Sequence, residues 1–332
     1  MNKLSIIILF LSNHTANCQV FDSIVKLPLT QKTYEEMKIQ SIIGDEINEA
    51  EYRLPADEIY EKPDKRRKLF GPSQFDSRIE VRTLNPDNLK ENEILQNTKS
   101  VGIILDKSLL SKVSDSMFHL DLTSKLGDLY RLCEKEAFRN QPVAGIGTSF
   151  VTSDQLMTTA AHVFSGPLSN YAVVFGFQMI NKVGAYESFI PSNNIFYPQE
   201  ISYKSEELDI AIFKVDRFFD RKILPHEEAP ITKDTEVYMI GHPMGIPQKV
   251  AVNARVYDIS HPEYFYTTLD AFQGNSGSPV FNANTHKVIG VLVSGELDYR
   301  WNGQCNESTL CKLPYCKGEK VIRMDRIIRE FD

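Results

Sequence analysis

The stretch Gly274-Asn275-Ser276-Gly277-Ser278-Pro279 concentrates more potential chemistry than any other part of this sequence. Two glycines and small polar residues around one serine make a tight turn, in which the backbone N–H groups of Gly274 and Ser276 can converge on one oxygen. Such a pair forms an oxyanion hole for an acyl-transfer intermediate, and one donor of this kind is typically worth about 2.7–4 kcal/mol of transition-state stabilisation. A plain Gly/Ser/Asn turn between strands has the same composition. The catalytic reading therefore depends on what else the chain supplies.

A serine hydroxyl is a poor nucleophile without a base to take its proton. Of the seven histidines, only His162 follows a strand that ends in small residues, Thr158-Thr159-Ala160-Ala161, shortly after Gly147-Thr148-Ser149-Phe150-Val151-Thr152. Small neighbours let an imidazole project into a cleft. His242, in Ile240-Gly241-His242-Pro243, reads as a loop histidine, and His119, His226, His261 and His286 lie in polar or turn contexts. A catalytic imidazole also needs a carboxylate to hold its tautomer and stabilise the imidazolium. Asp209 opens the alternating strand Ile210-Ala211-Ile212-Phe213, where an acid must be paired. In isolation such an aspartate reads as a strand-capping turn residue.

The elements that must position these groups are short apolar runs separated by Gly, Pro, Asn and Asp, the pattern of a sandwich or barrel. Examples are 100–105, 171–175, 210–215 and 288–293. The stretch Leu120 to Phe138 has room for a short helix. Val321, Met324, Ile327, Ile328 and Phe331 recur at helical spacing, which predicts a terminal amphipathic helix packed on a β core.

The order His, Asp, Ser, carried by Thr-Ala-Ala-His, Asp-Ile-Ala-Ile and Gly-Asn-Ser-Gly-Ser-Pro, resembles the chymotrypsin-like serine proteases over roughly residues 69–332. Asn275 before the nucleophile, and Phe75-Asp76-Ser77-Arg78 as a domain start, resemble the secreted bacterial branch near the glutamyl endopeptidases. The resemblance implies an all-β fold of two six-stranded antiparallel β-barrels, divided near 216–230, with the C-terminal helix. It implies a catalytic triad of His162, Asp209 and Ser276, an oxyanion hole from Gly274 and Ser276, and protein or peptide substrates with no cofactor and no metal. A catalytically silent homologue acting as a binding protein would be marked by a lost triad residue, and all three are present. An esterase on an α/β-hydrolase scaffold would need Gly-x-Ser-x-Gly and a histidine after the serine, whereas here the pentapeptide ends in Ser278 and His162 comes first.

The departures also inform. The cysteine that often follows the catalytic histidine is Val163 here, and its upstream partner is missing too. With Asn275 in place of the aspartate found in trypsins, the activation salt bridge to a freed N-terminus cannot form. By the same resemblance Asp270, at 276 − 270 = 6 residues before the serine, is expected at the base of the specificity pocket and pairs with Arg or Lys. Gly295 is expected to keep the pocket mouth open, and Leu292 replaces the histidine with which glutamyl endopeptidases read acidic side chains.

The chain has 332 residues and a formal charge of −7, without the concentrated basic face of a nucleic-acid binder. Met1-Asn2-Lys3 leads into an apolar run, 4–11, too short to span a bilayer, which reads as a signal peptide over 1–18 and a secreted product with no membrane association after its removal. Residues 19–68 read as a pro-segment ending in the processing-like run Lys65-Arg66-Arg67-Lys68, and 69–332 as the protease domain. Beyond Cys18 there remain Cys133, Cys305, Cys311 and Cys316, an even number that suggests two disulfides in an oxidising compartment, with three pairings open.

Overall fold

The computed structural model describes residues 76–181, 184–309 and 316–330. The predicted signal peptide, the whole of the predicted pro-segment with its basic run, Phe75, Cys311 and Phe331 lie outside the described residues.

Nineteen strands are described. β1 (Arg78–Glu80) precedes a helix, Leu89–Thr98, whose start is fixed by Asn88: its side chain accepts from the N–H groups of Lys90 and Glu91. β2 (Val101–Asp106), β3 (Leu110–Ser114), β4 (Met117–Leu120), β5 (Gly145–Val151), β6 (Leu156–Ala160), β7 (Tyr171–Val174), β8 (Phe189–Pro191), β9 (Ile195–Phe196), β10 (Pro198–Ser205) and β11 (Ile210–Val215) make up the first half. The second holds β12 (Glu236–Gly241), β13 (Lys249–Asp258), β14 (Tyr264–Thr267), β15 (Pro279–Asn282), β16 (Val288–Ser294), β17 (Tyr299–Trp301), β18 (Asn306–Ser308) and β19 (Glu319–Arg323).

The second half closes on itself. Its sheet runs β13-β12-β15-β16-β19-β14 and β14 pairs back to β13, a closed six-stranded antiparallel barrel with β1 added on β13. The first half is a curled sheet of order β10-β11-β6-β5-β2-β7-β9, in which β10 and β9 remain edges. The mostly β, double-barrel architecture is as expected, with one barrel open. β2, β11 and β16 are buried along almost their whole length, since the curled sheet and the barrel pack through one shared apolar core that joins Ile104, Phe150 and Phe213 to Tyr238, Phe281 and Ile322.

One of the two helix expectations needs adjusting. A short helix does form at Leu126–Leu129. The terminal helix is shorter than its apolar spacing suggests: Val321 lies in β19, paired with Phe265, and the chain is helical only over Met324–Ile327, followed by a 3-10 turn at Ile328–Glu330. Strand pairing on the barrel outweighs the weak periodic preference of so short a segment.

Of the open cysteine pairings, Cys133 bonds Cys305, closing 172 residues of sequence separation. Cys316 is disulfide-bonded as well.

Candidate active site

The candidate base and acid come from the turn that follows β6 and the turn that precedes β11, on neighbouring strands. Ile210 pairs with Ala160, so β6 and β11 end side by side with His162 and Asp209 just beyond the pairing. Asp209 holds the left-handed conformation, φ +55°. For a residue other than glycine that costs about 1–3 kcal/mol and persists only where surrounding bonds enforce it. They do: the Asp209 carbonyl accepts the Ala161 N–H at 3.0 Å, Oδ1 accepts the His162 N–H at 3.0 Å, and Oδ2 lies 2.6 Å from His162 Nδ1. With Nδ1 turned to a carboxylate, the proton sits there and Nε2 faces away with its lone pair. Nε2 is buried and has no hydrogen-bond partner among the described residues.

The serine turn is held from both sides. Gly274 and Gly277 each have φ +86°, and a side chain at either would meet backbone: a Cβ on Gly274 would lie 2.6 Å from the His242 carbonyl, and one on Gly277 2.2 Å from the Thr148 carbonyl. Thr148, fully buried on β5 of the first half, clamps the turn. Its N–H donates to the Ser276 carbonyl at 2.9 Å, while its Oγ1 donates to the Gly274 carbonyl at 2.8 Å and accepts the His242 N–H at 3.1 Å. Within the turn the Asn275 N–H donates to Phe272, Gly277 to Leu292 and Ser278 to Asn275. The N–H groups of Gly274 and Ser276, expected as oxyanion donors, have no protein acceptor among the described residues.

Ser276 is 6% exposed. Its neighbour Gly277 abuts the β6 end that carries the histidine, since a Cβ there would lie 2.8 Å from the Ala160 nitrogen. His162 and Asp209 are thus in direct contact, whereas no Ser276 Oγ–His162 hydrogen bond is closed among the described residues. Such bonds are commonly long before substrate binds.

His242 is structural. It is 1% exposed, stacks on Phe177 and turns Nδ1 to the Ile246 carbonyl at 3.0 Å. Burial drives its pKa down to about 3, so it stays neutral.

Beside Ser276 opens a small pocket whose walls include Phe272, Leu292, Gly295, Asp298 and Glu319. Asp270, expected at the pocket's base, is not one of the residues that line this small pocket. It is 1% exposed and its Oδ2 accepts the Ser77 N–H at 2.6 Å, which ties the loop before the serine to the start of β1. Burial pushes its carboxyl up to about 6 against the opposing effect of the Ser77 bonds. Gly295 does line the pocket, and what its missing side chain leaves room for is Glu319, because a Cβ there would lie 1.8 Å from Glu319 Oε2. Sequence reasoning missed Glu319 and Asp298, which stand in no motif around the serine.

Residues 147–291 match the family model of the trypsin-like peptidase domain. The trypsin-like match takes in His162, Asp209, Ser276 and the glycines of the serine turn, and ends within β16, before Asp298 and Glu319. Over those residues the chain is similar to a trypsin-like peptidase domain. Solved structures similar to it include the inactive Ser-to-Ala form of the Rv3671c protease of M. tuberculosis, at 15% identity over 80% of this chain and 95% of that one, with a TM-score of 0.45. The active form of the same protease aligns at 18% identity over 81% and 92%, TM-score 0.45. A serine endoprotease from Yersinia pestis aligns at 14% identity over 73% and 65%, TM-score 0.45. No curated protein matches the sequence.

Proposed function

We propose that this chain is an exported serine endopeptidase that hydrolyses peptide bonds through an acyl-enzyme on Ser276. The observation that carries the reading is the pairing of His162 Nδ1 with Asp209 Oδ2 at 2.6 Å, which leaves Nε2 without a partner among the described residues, two residues beyond the β6 end that abuts a serine turn whose two N–H donors are unspent. In the reaction Ser276 Oγ attacks the scissile carbonyl and His162 Nε2 takes the hydroxyl proton. Asp209 stabilises the imidazolium without becoming protonated. The carbonyl oxygen, now negative, is received by the Gly274 and Ser276 N–H groups. The imidazolium gives its proton to the leaving amine, and a water activated by the same nitrogen then hydrolyses the acyl ester. Export rests on the apolar run at 4–11 and on a disulfide-bonded domain, which suits an oxidising compartment.

The test is labelling with a fluorophosphonate followed by hydrolysis of a peptide library, in wild type and Ser276→Ala. The wild type should label and cleave. The variant should do neither while keeping its denaturation midpoint, since it loses one hydroxyl from a turn held by backbone bonds. Comparable peptidase activity in purified Ser276→Ala protein would sink the assignment.

A further inference from the structure

We propose that Arg78 is a positioning residue for the serine turn: its guanidinium, stacked on the Phe272 ring, seats the loop 270–276 so that the Gly274 and Ser276 N–H groups face one oxygen. The inference rests on the peptidase reading above and deepens it, since it makes that chemistry depend on a residue outside the triad and upstream of the matched residues 147–291.

The loop 270–276 contains no cysteine, so non-covalent contacts hold it. Two of them come from one short piece of chain at the start of β1. The Ser77 N–H donates to Asp270, and two residues further along the loop the Arg78 guanidinium lies 3.7 Å from the centre of the Phe272 ring. Phe272 bears on the turn through its backbone, because its carbonyl accepts the Asn275 N–H at 2.9 Å. Phe272 and Asn275 thus flank the peptide that presents the Gly274 N–H, and a shift of the first is passed to the turn. The rest of the Phe272 surroundings are apolar: its ring lies 5.5 Å from that of Tyr299 and packs in one cluster with Met244 and Ile246. Such contacts resist displacement but set no single orientation of the ring.

Arg78 is itself held as a rigid plane. Its side chain is 2% exposed, and Nε and Nη2 donate to the two oxygens of Asp76 at 2.8 and 2.6 Å. Asp76 Oδ1 also accepts the Arg78 backbone N–H at 3.0 Å, which ties the carboxylate to the strand. A two-bond fork of this kind fixes the plane of the guanidinium as well as its place. β1 is anchored in turn, by its pairing with β13 and by the ion pair of Glu80 with the buried Lys249 at 3.2 Å. As a filler of apolar space Arg78 would be a costly choice. It is a buried cation whose Nη1 has no partner among the described residues, and an apolar side chain of similar length fills such a site without that cost. What an apolar chain does not supply is a fixed cationic plane against an aromatic face.

The test compares wild type with Arg78→Met, Arg78→Lys, Phe272→Leu and Arg78→Met/Phe272→Leu. Arg78→Met should keep a urea midpoint near that of wild type, yet lower kcat by at least about tenfold at little-changed KM, as a loss felt in the transition state does. Arg78→Lys keeps the charge without the plane and should show the same loss. Phe272→Leu should slow fluorophosphonate labelling to a similar extent, and the double variant should be no slower than the worse single variant, because one residue acts through the other. Hydrogen exchange over 270–276, read by mass spectrometry, should be faster in each variant, and this readout needs no activity. If Arg78→Met does not fold, Arg78→Lys and Phe272→Leu carry the same comparison. Wild-type kcat in folded Arg78 variants, additive losses in the double variant, or unchanged exchange would overturn the seat and leave the triad intact. Wild-type protein that never reacts with fluorophosphonate would overturn the peptidase reading instead, and the exchange comparison would still decide whether Arg78 seats the loop.

Discussion

Thr148 and Ser276 are joined across the seam between the two halves of the molecule, the Thr148 N–H donating to the Ser276 carbonyl at 2.9 Å. The same residue uses its hydroxyl twice, toward the Gly274 carbonyl and from the His242 N–H. The serine turn is therefore shaped as much by the first sheet as by the barrel that carries it.

Thr148→Val keeps the shape and the backbone bond but orphans two buried groups, at about 1–3 kcal/mol each. Urea denaturation should show that loss, and kcat/KM should fall with it because the Gly274 peptide is no longer held. Wild-type values for both would show that the clamp is incidental.

Asp209→Asn should preserve the fold and lower turnover by about 10⁴, since an amide partner favours the wrong imidazole tautomer. The comparison is made at saturating substrate, with circular dichroism to confirm the fold. A loss below tenfold would mean that the 2.6 Å contact with His162 serves structure alone.

Asp298 predicts a pH dependence with a definite sign. Burial raises its pKa from 3.8 to about 7, so the folded protein prefers the neutral acid. Its contribution to stability is fully present below pH 4 and is lost as pH rises through about 7, a difference on the order of a few kcal/mol. Asp298→Asn mimics the neutral form and keeps an acceptor for the Gln273 N–H. The variant should thus gain on wild type between pH 4.5 and pH 8 in parallel denaturation series. Glu319 is raised by burial and then by the Asp298 charge, so its shift shrinks in the variant and moves the difference in the same direction. Parallel curves would show that Asp298 ionises freely in the folded protein.

Maturation is expected at the basic run Lys65-Arg66-Arg67-Lys68. N-terminal sequencing of the exported, active product should find a start between Arg66 and Gly71, and a start at Gln19 in active enzyme would refute it.

The parts of the site visible in the sequence are those that local chemistry dictates. Gly274 and Gly277 are needed where φ is +86°, small residues precede His162 because β6 ends against the serine turn, and Asp209 stands where a strand begins. Groups that meet only through folding were not visible. Glu319 reaches the pocket because β19 pairs with β16 and β14, a relation that leaves no mark near the serine. Asp270 has the right offset from the serine, but its side chain answers to Ser77, which is 193 positions away. The helix Leu89–Thr98 was unforeseen for another reason: it buries little beyond Ile94, Asn97 and Thr98, so it has almost no apolar stripe to announce it. The reverse error occurred at Val321, whose spacing fits a helix face but whose neighbours in space are strands.

The link from Ser77 to Asp270 is made by a peptide N–H in the middle of the chain and not by a terminal ammonium. An amide is the same before and after any cut upstream of it, so the serine loop is wired as soon as the domain folds. Folding and competence then coincide. Among the described residues this link holds no charge back to be released later, so a cut upstream of Ser77 leaves the wiring of the serine loop as it was.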